Sequence, residues 1–340
     1  MARVTYREAL RLALREEMAR DPRIFLLGED IGAYGGSYAV TKGLLDEFGE
    51  RRVRDTPISE SVIAGVACGA AMGGLRPVAE LMTINFALLA MDQIVNAAAK
   101  ISYMFNGQFR APLVIRTVGG GRRLAATHSQ NLEVMFAFIP GLKVVTPATP
   151  ADAYGLLKAA IRDDDPVIFI EHSLLYGTRG ELEEGRIVPI GRSDVKRAGT
   201  DLTLIAYSRA AVLALEAAER LAEDGIDCEV IDLRTLRPLD MEPVLESIKK
   251  THRAVVVEED WVSYGIGAEL AARIQADAFD ELDAPVARVG AVEVPMPYAA
   301  NLEAAALPDA AAVCRAAREL LGDAARPAAT GPVRVGEGAR

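Results

Sequence analysis

At 340 residues the chain has room for about two domains of roughly 150 residues each, and its 51% hydrophobic and 25% charged residues exclude a disordered or fibrous protein. A formal charge of −10, with no Lys/Arg-dense patch interleaved with aromatics, argues against nucleic acid as a partner. Cys68, Cys228 and Cys314 stand far apart, form neither a disulfide framework nor a CxxC site, and point to a reducing, cytoplasmic setting.

The first residues mix Arg with Glu8, Glu16, Glu17 and Asp21, unlike an acid-poor transit peptide, and hold no continuous apolar segment of the signal-sequence kind. Leu10, Leu14 and Met18 recur at helical spacing behind Thr5 and Glu8, the two ends of a capping box, so the chain is expected to open on a helix that stops near Asp21-Pro22. Strands buried on both faces are predicted at 24–27, 78–81, 113–116, 142–145 and 167–170, alternating with helices over 61–74, 87–104 and 150–162. The longest uncharged run, 61–75, is shorter than the ~20 residues that cross a bilayer, so it reads as a buried helix and no membrane association is expected. A second series follows, with strands at 202–207, 229–233, 254–258 and 286–289 and helices near 209–224, 240–250, 266–279 and 309–321. The pattern predicts two α/β domains, over 1–185 and 201–324, joined by a linker over 186–200 and followed by a mobile tail over 325–340.

In the 61–74 helix, Gly65, Gly69 and Gly73 fall at i, i+4 and i+8 among Ala64, Ala67, Ala70 and Ala71. Glycine in a helix costs about 0.5–1 kcal/mol relative to alanine, so a close helix contact should compensate, either inside the chain or, the preferred reading, at a subunit interface. At its front, Ser59 has the chemistry of an N-cap and Glu60 that of a first-turn carboxylate; alone, the pair is an ordinary helix start. Phe86 follows a predicted strand, where α/β sheets hold ligands. His128, His172 and His252 show no HxxxH or HExxH spacing, which argues against zinc. His128 follows the Gly119–Arg123 loop and is either an acid–base group on a flexible segment or an ordinary surface histidine. Gly265-Ile266-Gly267-Ala268-Glu269-Leu270 opens a helix as a dinucleotide fingerprint would, but Leu270 stands where close packing needs Gly or Ala. Gly35-Gly36-Ser37-Tyr38-Ala39 lacks the closing glycine of GxSxG, so neither a nicotinamide cofactor nor a serine hydrolase is supported.

Taken together, Gly28-Glu29-Asp30, Tyr34-Gly35-Gly36, Thr41-Lys42-Gly43-Leu44, Asp55-Thr56-Pro57-Ile58-Ser59-Glu60, Gly73-Gly74-Leu75-Arg76-Pro77, His128-Ser129-Gln130 and Pro140-Gly141-Leu142-Lys143-Val144-Val145 carry a resemblance. It continues through Glu229-Val230-Ile231-Asp232-Leu233-Arg234-Thr235-Leu236 and Pro238-Leu239-Asp240, and so covers about residues 4–322 in order. The sequence resembles the beta subunits of thiamine-diphosphate-dependent 2-oxo acid dehydrogenases, closest to the pyruvate, acetyl-transferring type. That resemblance implies a transketolase-like α/β fold of two three-layer domains with mostly parallel sheets, the first binding a pyrimidine. It implies decarboxylation of a small 2-oxo acid with thiamine diphosphate, and acetyl transfer to a lipoyl arm of a dihydrolipoyl acyltransferase core.

By the same resemblance, Glu60 would hydrogen-bond N1′ of the cofactor's aminopyrimidine, Phe86 would stack on or flank that ring, and Glu29 would lie near it in a proton-relay region. His128 would sit at the mouth where the lipoyl group arrives, and Leu113, Ala160, Ile161, Asp163 and Asp165 would bind potassium, although many relatives have Asn in place of Asp165. The superfamily's Gly-Asp-Gly followed downstream by Asn, which holds magnesium and the diphosphate, is missing from this sequence. The resemblance therefore implies a separate alpha subunit carrying the magnesium, in an α2β2 heterotetramer with the cofactor between subunits. Acetoin and branched-chain 2-oxo acid dehydrogenase beta subunits share most of these motifs, and a noncatalytic scaffold is the alternative of a different class.

Overall fold

The computed structural model describes residues 2–120 and 123–322; Gly121, Arg122 and the expected tail over 325–340 lie outside the described residues. The first half runs β1 (Ala2–Thr5), α1 (Tyr6–Arg20), β2 (Ile24–Gly28), α2 (Leu44–Phe48), β3 (Val53–Asp55), α3 (Glu60–Met72), β4 (Arg76–Leu81), α4 (Ile101–Met104), β5 (Val114–Gly119), α5 (Glu133–Ala137), β6 (Lys143–Val145), α6 (Pro150–Arg162), β7 (Val167–His172) and β8 (Arg179–Leu182). The second runs β9 (Asp194–Arg197), β10 (Leu202–Ala206), α7 (Ser208–Glu223), β11 (Cys228–Asp232), β12 (Thr235–Arg237), α8 (Glu242–Thr251), β13 (Ala254–Trp261), α9 (Ile266–Asp277), β14 (Ala287–Ala291), α10 (Ala300–Ala306) and α11 (Ala310–Leu320).

Local chemistry sets α1 as the sequence demands. The Thr5 hydroxyl accepts the Glu8 amide at 3.2 Å while the Glu8 carboxylate accepts the Thr5 amide at 2.7 Å, closing the capping box. The buried face of α1, including Leu10, Leu14 and Met18, packs in one cluster with Ala153, Leu156, Leu157 and Ala160 of α6 on one side of a seven-stranded sheet. That sheet has the order β12-β6-β7-β5-β4-β2-β3, and β2, β5 and β7 are buried along their whole length, as continuous apolar strands require. Helix α3 covers the other side with Ile63, Ala64, Ala67, Cys68 and Ala71. A five-stranded sheet, β14-β13-β10-β11-β9, organises the second half. Both sheets are parallel except at one edge each, where β12 runs antiparallel to β6 and β9 antiparallel to β11.

Three features depart from the expected elements. The helix over 87–104 is instead a 3₁₀ turn at Phe86–Ala90, a wide π turn at Asp92–Ala98 and then α4. Its buried residues step by three from Ala87 to Ala90 and by four to Ile94 and Ala98, so a tight turn followed by a wide one keeps them on the core side. Helix α3 ends at Met72 with Gly73 as its C-cap, so only Gly65 and Gly69 lie inside it; a Cβ on Gly69 would meet nothing within 4 Å. The chain's own packing therefore leaves that face open, with Val62 and Val66 exposed beside it. Within the 186–200 stretch, Asp194–Arg197 forms β9 on the second sheet, while β12 leaves the second half to complete the first sheet.

The two halves are also joined by charge. Asp152, on α6 and 1% exposed, holds Arg234 at 2.6 Å and Lys196 at 2.6 Å, and Asp194 receives the same two cations at 2.8 Å each. Burial works to raise the Asp152 carboxyl, but Lys196 and Arg234 overcome it and hold it below the usual range. Asp152→Ala removes the buried carboxylate nearest to both cations, leaving Arg234 only the part-exposed Asp194, so we expect a loss of about 3–5 kcal/mol, measurable as a lower urea midpoint. A loss under ~1 kcal/mol, the scale of exposed pairs, would show that the network contributes little to docking.

Candidate active site

Glu29, Glu60, Phe86 and His128 each follow one of four neighbouring strands, at the carboxyl ends of β2, β3, β4 and β5. This is where a parallel α/β sheet leaves a crevice for ligands. The Thr56 amide donates to the Gly28 carbonyl at 3.0 Å, which pins the exit of β3 beside that of β2. Ser59 occupies the N-cap of α3, but its side chain caps nothing; Glu60 is the first helical residue and only 6% exposed. Glu29 is half-buried and its Oε1 is enclosed without a hydrogen-bond partner. Burial first, then the charges of Glu60, Asp30 and Glu80, push the Glu29 carboxyl up from its ordinary value. The hydroxyls of Thr56 and Thr83 are likewise buried and unpaired.

The other two residues form a second pair. The Ile84 amide donates to the Val118 carbonyl at 2.9 Å, and Asn85 Nδ2 donates to Gln130 Oε1 at 2.8 Å, tying the loop after β4 to the loop after β5. Phe86 and His128 then meet edge to face, with ring centroids 5.0 Å apart at 82°. His128 is exposed, its Nδ1 3.0 Å from Thr127 Oγ1. Acceptors lacking donors, beside an aromatic edge, fit a flat heterocycle that brings N–H groups, which is the chemistry of the aminopyrimidine in thiamine diphosphate.

The five residues expected around potassium gather at one place. The Ile161 and Asp163 carbonyls accept Arg76 Nη1 at 3.1 and 2.8 Å, and the Ala160 and Leu113 carbonyls accept the amides of Asp163 and Val167. Lys143 Nζ lies 2.7 Å from Asp163 and 3.1 Å from Asp165. The oxygen donors suit a hard cation, and each carbonyl keeps a second lone pair, but Lys143 already neutralises the acids.

Other glycine motifs resolve differently. The amide of Gly267 donates to Glu258 Oε2 at 2.9 Å, and a Cβ on Gly265 or Gly267 would lie 2.7 or 2.5 Å from Glu258 Oε1. The protein's own carboxylate thus fills the helix start where a phosphate would sit. Sequence reasoning passed over His172, whose Nε2 lies 2.6 Å from Glu259 Oε2 between the two halves; Arg209 also pairs with Glu259. Burial works to raise Glu259, yet His172 and Arg209 bring it down to about 2. The available signal was Glu258-Glu259-Asp260, three acids ending an otherwise apolar strand.

Because the raised Glu29 carboxyl holds a proton more tightly folded than unfolded, its contribution to stability is fullest below the ordinary carboxylate range and is lost as pH rises through the raised value. Glu60→Gln removes one of the facing charges. We expect it to raise the thermal midpoint of the cofactor-free protein at neutral pH, by the equivalent of about 0.5–2 kcal/mol, and to flatten this loss. A lower midpoint would show that Glu60 is paired within the chain.

Two family models match: "Transketolase, pyrimidine binding domain" over residues 2–178 and "Transketolase, C-terminal domain" over residues 191–313. The "Pyruvate dehydrogenase E1 component subunit beta" of Rickettsia bellii is 51% identical over 93% of this chain and 98% of its own length. That of Rhizobium meliloti is 52% identical over 94% of this chain and 70% of its own length. The mitochondrial protein of Caenorhabditis elegans with that name is 49% identical, covering 94% and 92%. Among solved structures, a "Split gene transketolase, inactive beta4 tetramer" superposes with a TM-score of 0.76 at 26% identity, covering 94% of this chain and 98% of that one.

Proposed function

This chain belongs to the family of pyruvate dehydrogenase E1 component beta subunits, and from that premise we propose that it decarboxylates pyruvate oxidatively together with an alpha subunit and passes the acetyl group to a lipoyl arm. The observation that carries the reading is the pair of carboxylates of half-buried Glu29 and buried Glu60, neither salt-bridged among the described residues, after the adjoining strands β2 and β3, half of a polar site with its other half open. Thiamine diphosphate, when bound, supplies the electron sink for loss of carbon dioxide. Glu60 holds a proton toward a ring nitrogen of the aminopyrimidine, Glu29 stores a second proton nearby, and Phe86 flanks the ring and excludes water. His128, exposed beside Phe86, orients the arriving lipoyl group. Positioned proton transfer of this sort is worth about 10²–10⁴ in rate.

The open Gly69 face of α3, with exposed Val62 and Val66, suits close contact with another subunit, in an α2β2 heterotetramer whose alpha chains hold magnesium and the diphosphate. An acyltransferase core receives the product. We assign the protein to the cytoplasm from its three unpaired, buried cysteines; among the described residues no helix is long and apolar enough to cross a membrane. The units over 1–185 and 201–324 divide the labour, the first contacting the pyrimidine. Potassium is the second metal of this reading, held by Leu113, Ala160, Ile161, Asp163 and Asp165 alongside Lys143.

Co-expressed with its alpha partner, the chain is expected to support pyruvate decarboxylation in preference to 3-methyl-2-oxobutanoate decarboxylation or acetoin cleavage; preference for either of the latter reassigns the substrate. Glu60→Gln should preserve assembly while slowing C2–H/D exchange of bound cofactor by about 10²–10⁴, whereas unchanged exchange would leave a scaffold role. For potassium, the thermal midpoint should be higher in potassium chloride than in choline chloride of equal ionic strength; equal midpoints would assign those acids to Lys143 alone.

A further inference from the structure

We propose that Glu133 is a positioning residue for the loop that carries His128: its carboxyl and that of Asp260, brought from different halves of the chain, share one proton, and that O–H···O contact fixes the root of the loop for acetyl transfer. The proposal rests on the role given to His128 above.

Glu133 opens α5, five residues beyond His128, and Asp260 lies one residue before the end of β13. They are 2% and 4% exposed, and their carboxyls border the same water-sized space, close enough to interact. Neither Glu133 Oε2 nor Asp260 Oδ2 has a donor from elsewhere in the described protein. Two buried carboxylates in contact with no cation between them cannot both be ionised, so one keeps a proton and donates it to the other.

The surroundings supply no alternative. On β13, Glu258 faces Arg288 of β14, and Glu259 takes Arg209 of α7 and His172 at the end of β7, so the nearby cations are committed to other acids. Tyr207, after β10, has a hydroxyl that burial, with the charges of Asp260 and Glu258, keeps un-ionised and that is turned to Glu258. Asn131, Glu133, Tyr207, Ser208 and Asp260 line a space large enough for about one water, together with His172, which is turned to Glu259. Burial, with the negative charges of Glu259 and Glu258, raises Glu133 to about 7, and burial with the charge of Glu133 raises Asp260 well above the usual range.

The pair reaches the loop at both ends. Asn131 Oδ1 and Glu133 Oε1 pack over Gly119, the last residue of β5, where a Cβ would lie 3.1 and 3.3 Å from them. Ser129, Gln130 and Asn131 face Asp260 and Trp261 across a second small space. When the shared proton is lost, two like charges repel between the loop root and β13. Because the folded pair binds protons that the unfolded chain releases at lower pH, its contribution to stability is fullest below the ordinary carboxylate range; Glu133 gives up its proton at about 7, and the shared-proton contact is lost only as pH rises further, through the raised value of Asp260.

The test uses the full chain assembled with its alpha subunit, a free lipoyl domain as acceptor, and pyruvate decarboxylation followed in parallel with an artificial electron acceptor. In the wild type, KM for the lipoyl domain should rise about tenfold for one pH unit above the titration, the limit for loss of one proton, while dye-linked decarboxylation holds. Glu133→Gln and Asp260→Asn each supply a permanent N–H donor and should keep the low-pH KM throughout. Glu133→Ala should show the raised KM at every pH. A Gln variant that follows the wild-type profile overturns the proposal. The shared proton also has a readout without catalysis: the decline of the thermal midpoint between mildly acidic and mildly alkaline pH should shrink in Glu133→Gln. Absence of dye-linked decarboxylation in the wild type would count against the proposed function alone, and an unchanged thermal slope against the shared proton alone.

Discussion

The burial of the Glu29 carboxyl beside that of Glu60, with no salt bridge to either among the described residues, is the constraint on which the crevice depends. A buried acceptor without a donor costs about 1–3 kcal/mol, and Glu29 Oε1 is such an atom, while the N-cap serine beside Glu60 caps nothing with its side chain. Glu29 follows the end of β2 and Glu60 opens α3, so ordered elements hold both in place. A ligand that brings donors recovers the lost interaction, so affinity and strain have the same origin.

Elsewhere in the molecule, buried charge is neutralised. Arg116 on β5 links Glu80 on β4 and Glu171 on β7, each at 2.7 Å, and Tyr176 donates to Glu171 at 2.7 Å. Asp152 does the same between the two halves. Burial of ions is tolerable when each has a partner and costly when one is removed. Against this background two places with unpaired carboxylate oxygens stand out: Glu29 in the crevice after β2, and the Glu133–Asp260 contact beneath the His128 loop. The first awaits donors from outside; the second retains a proton.

Long buried strands and capped helices were legible because their causes are local. Thr5 and Glu8 needed only each other, and the apolar runs over 24–27 and 167–170 could be satisfied only between two helical layers. Short edge elements were not legible. Strands β1, β3, β9 and β12 have at most four residues and draw their hydrogen bonds from partners distant in sequence. The interrupted helix after β4 carries ordinary helical composition, and only the shape of the core selects a tight turn followed by a wide one.

For the site, the sequence by itself determined which chemical groups were available: Glu60 at a helix start, Glu29 after a strand, Phe86 and His128 in loops beyond strands. It also determined the order of the long buried strands and the capped helices, because hydrophobic periodicity and capping act over a few residues. Tertiary structure alone decided that Glu29 lacks a donor, that Phe86 meets His128, that Glu258 fills the start of α9, and that Glu133 meets Asp260. Burial and charge depend on what the rest of the chain brings within a few ångströms, and no local pattern of residues encodes that distance.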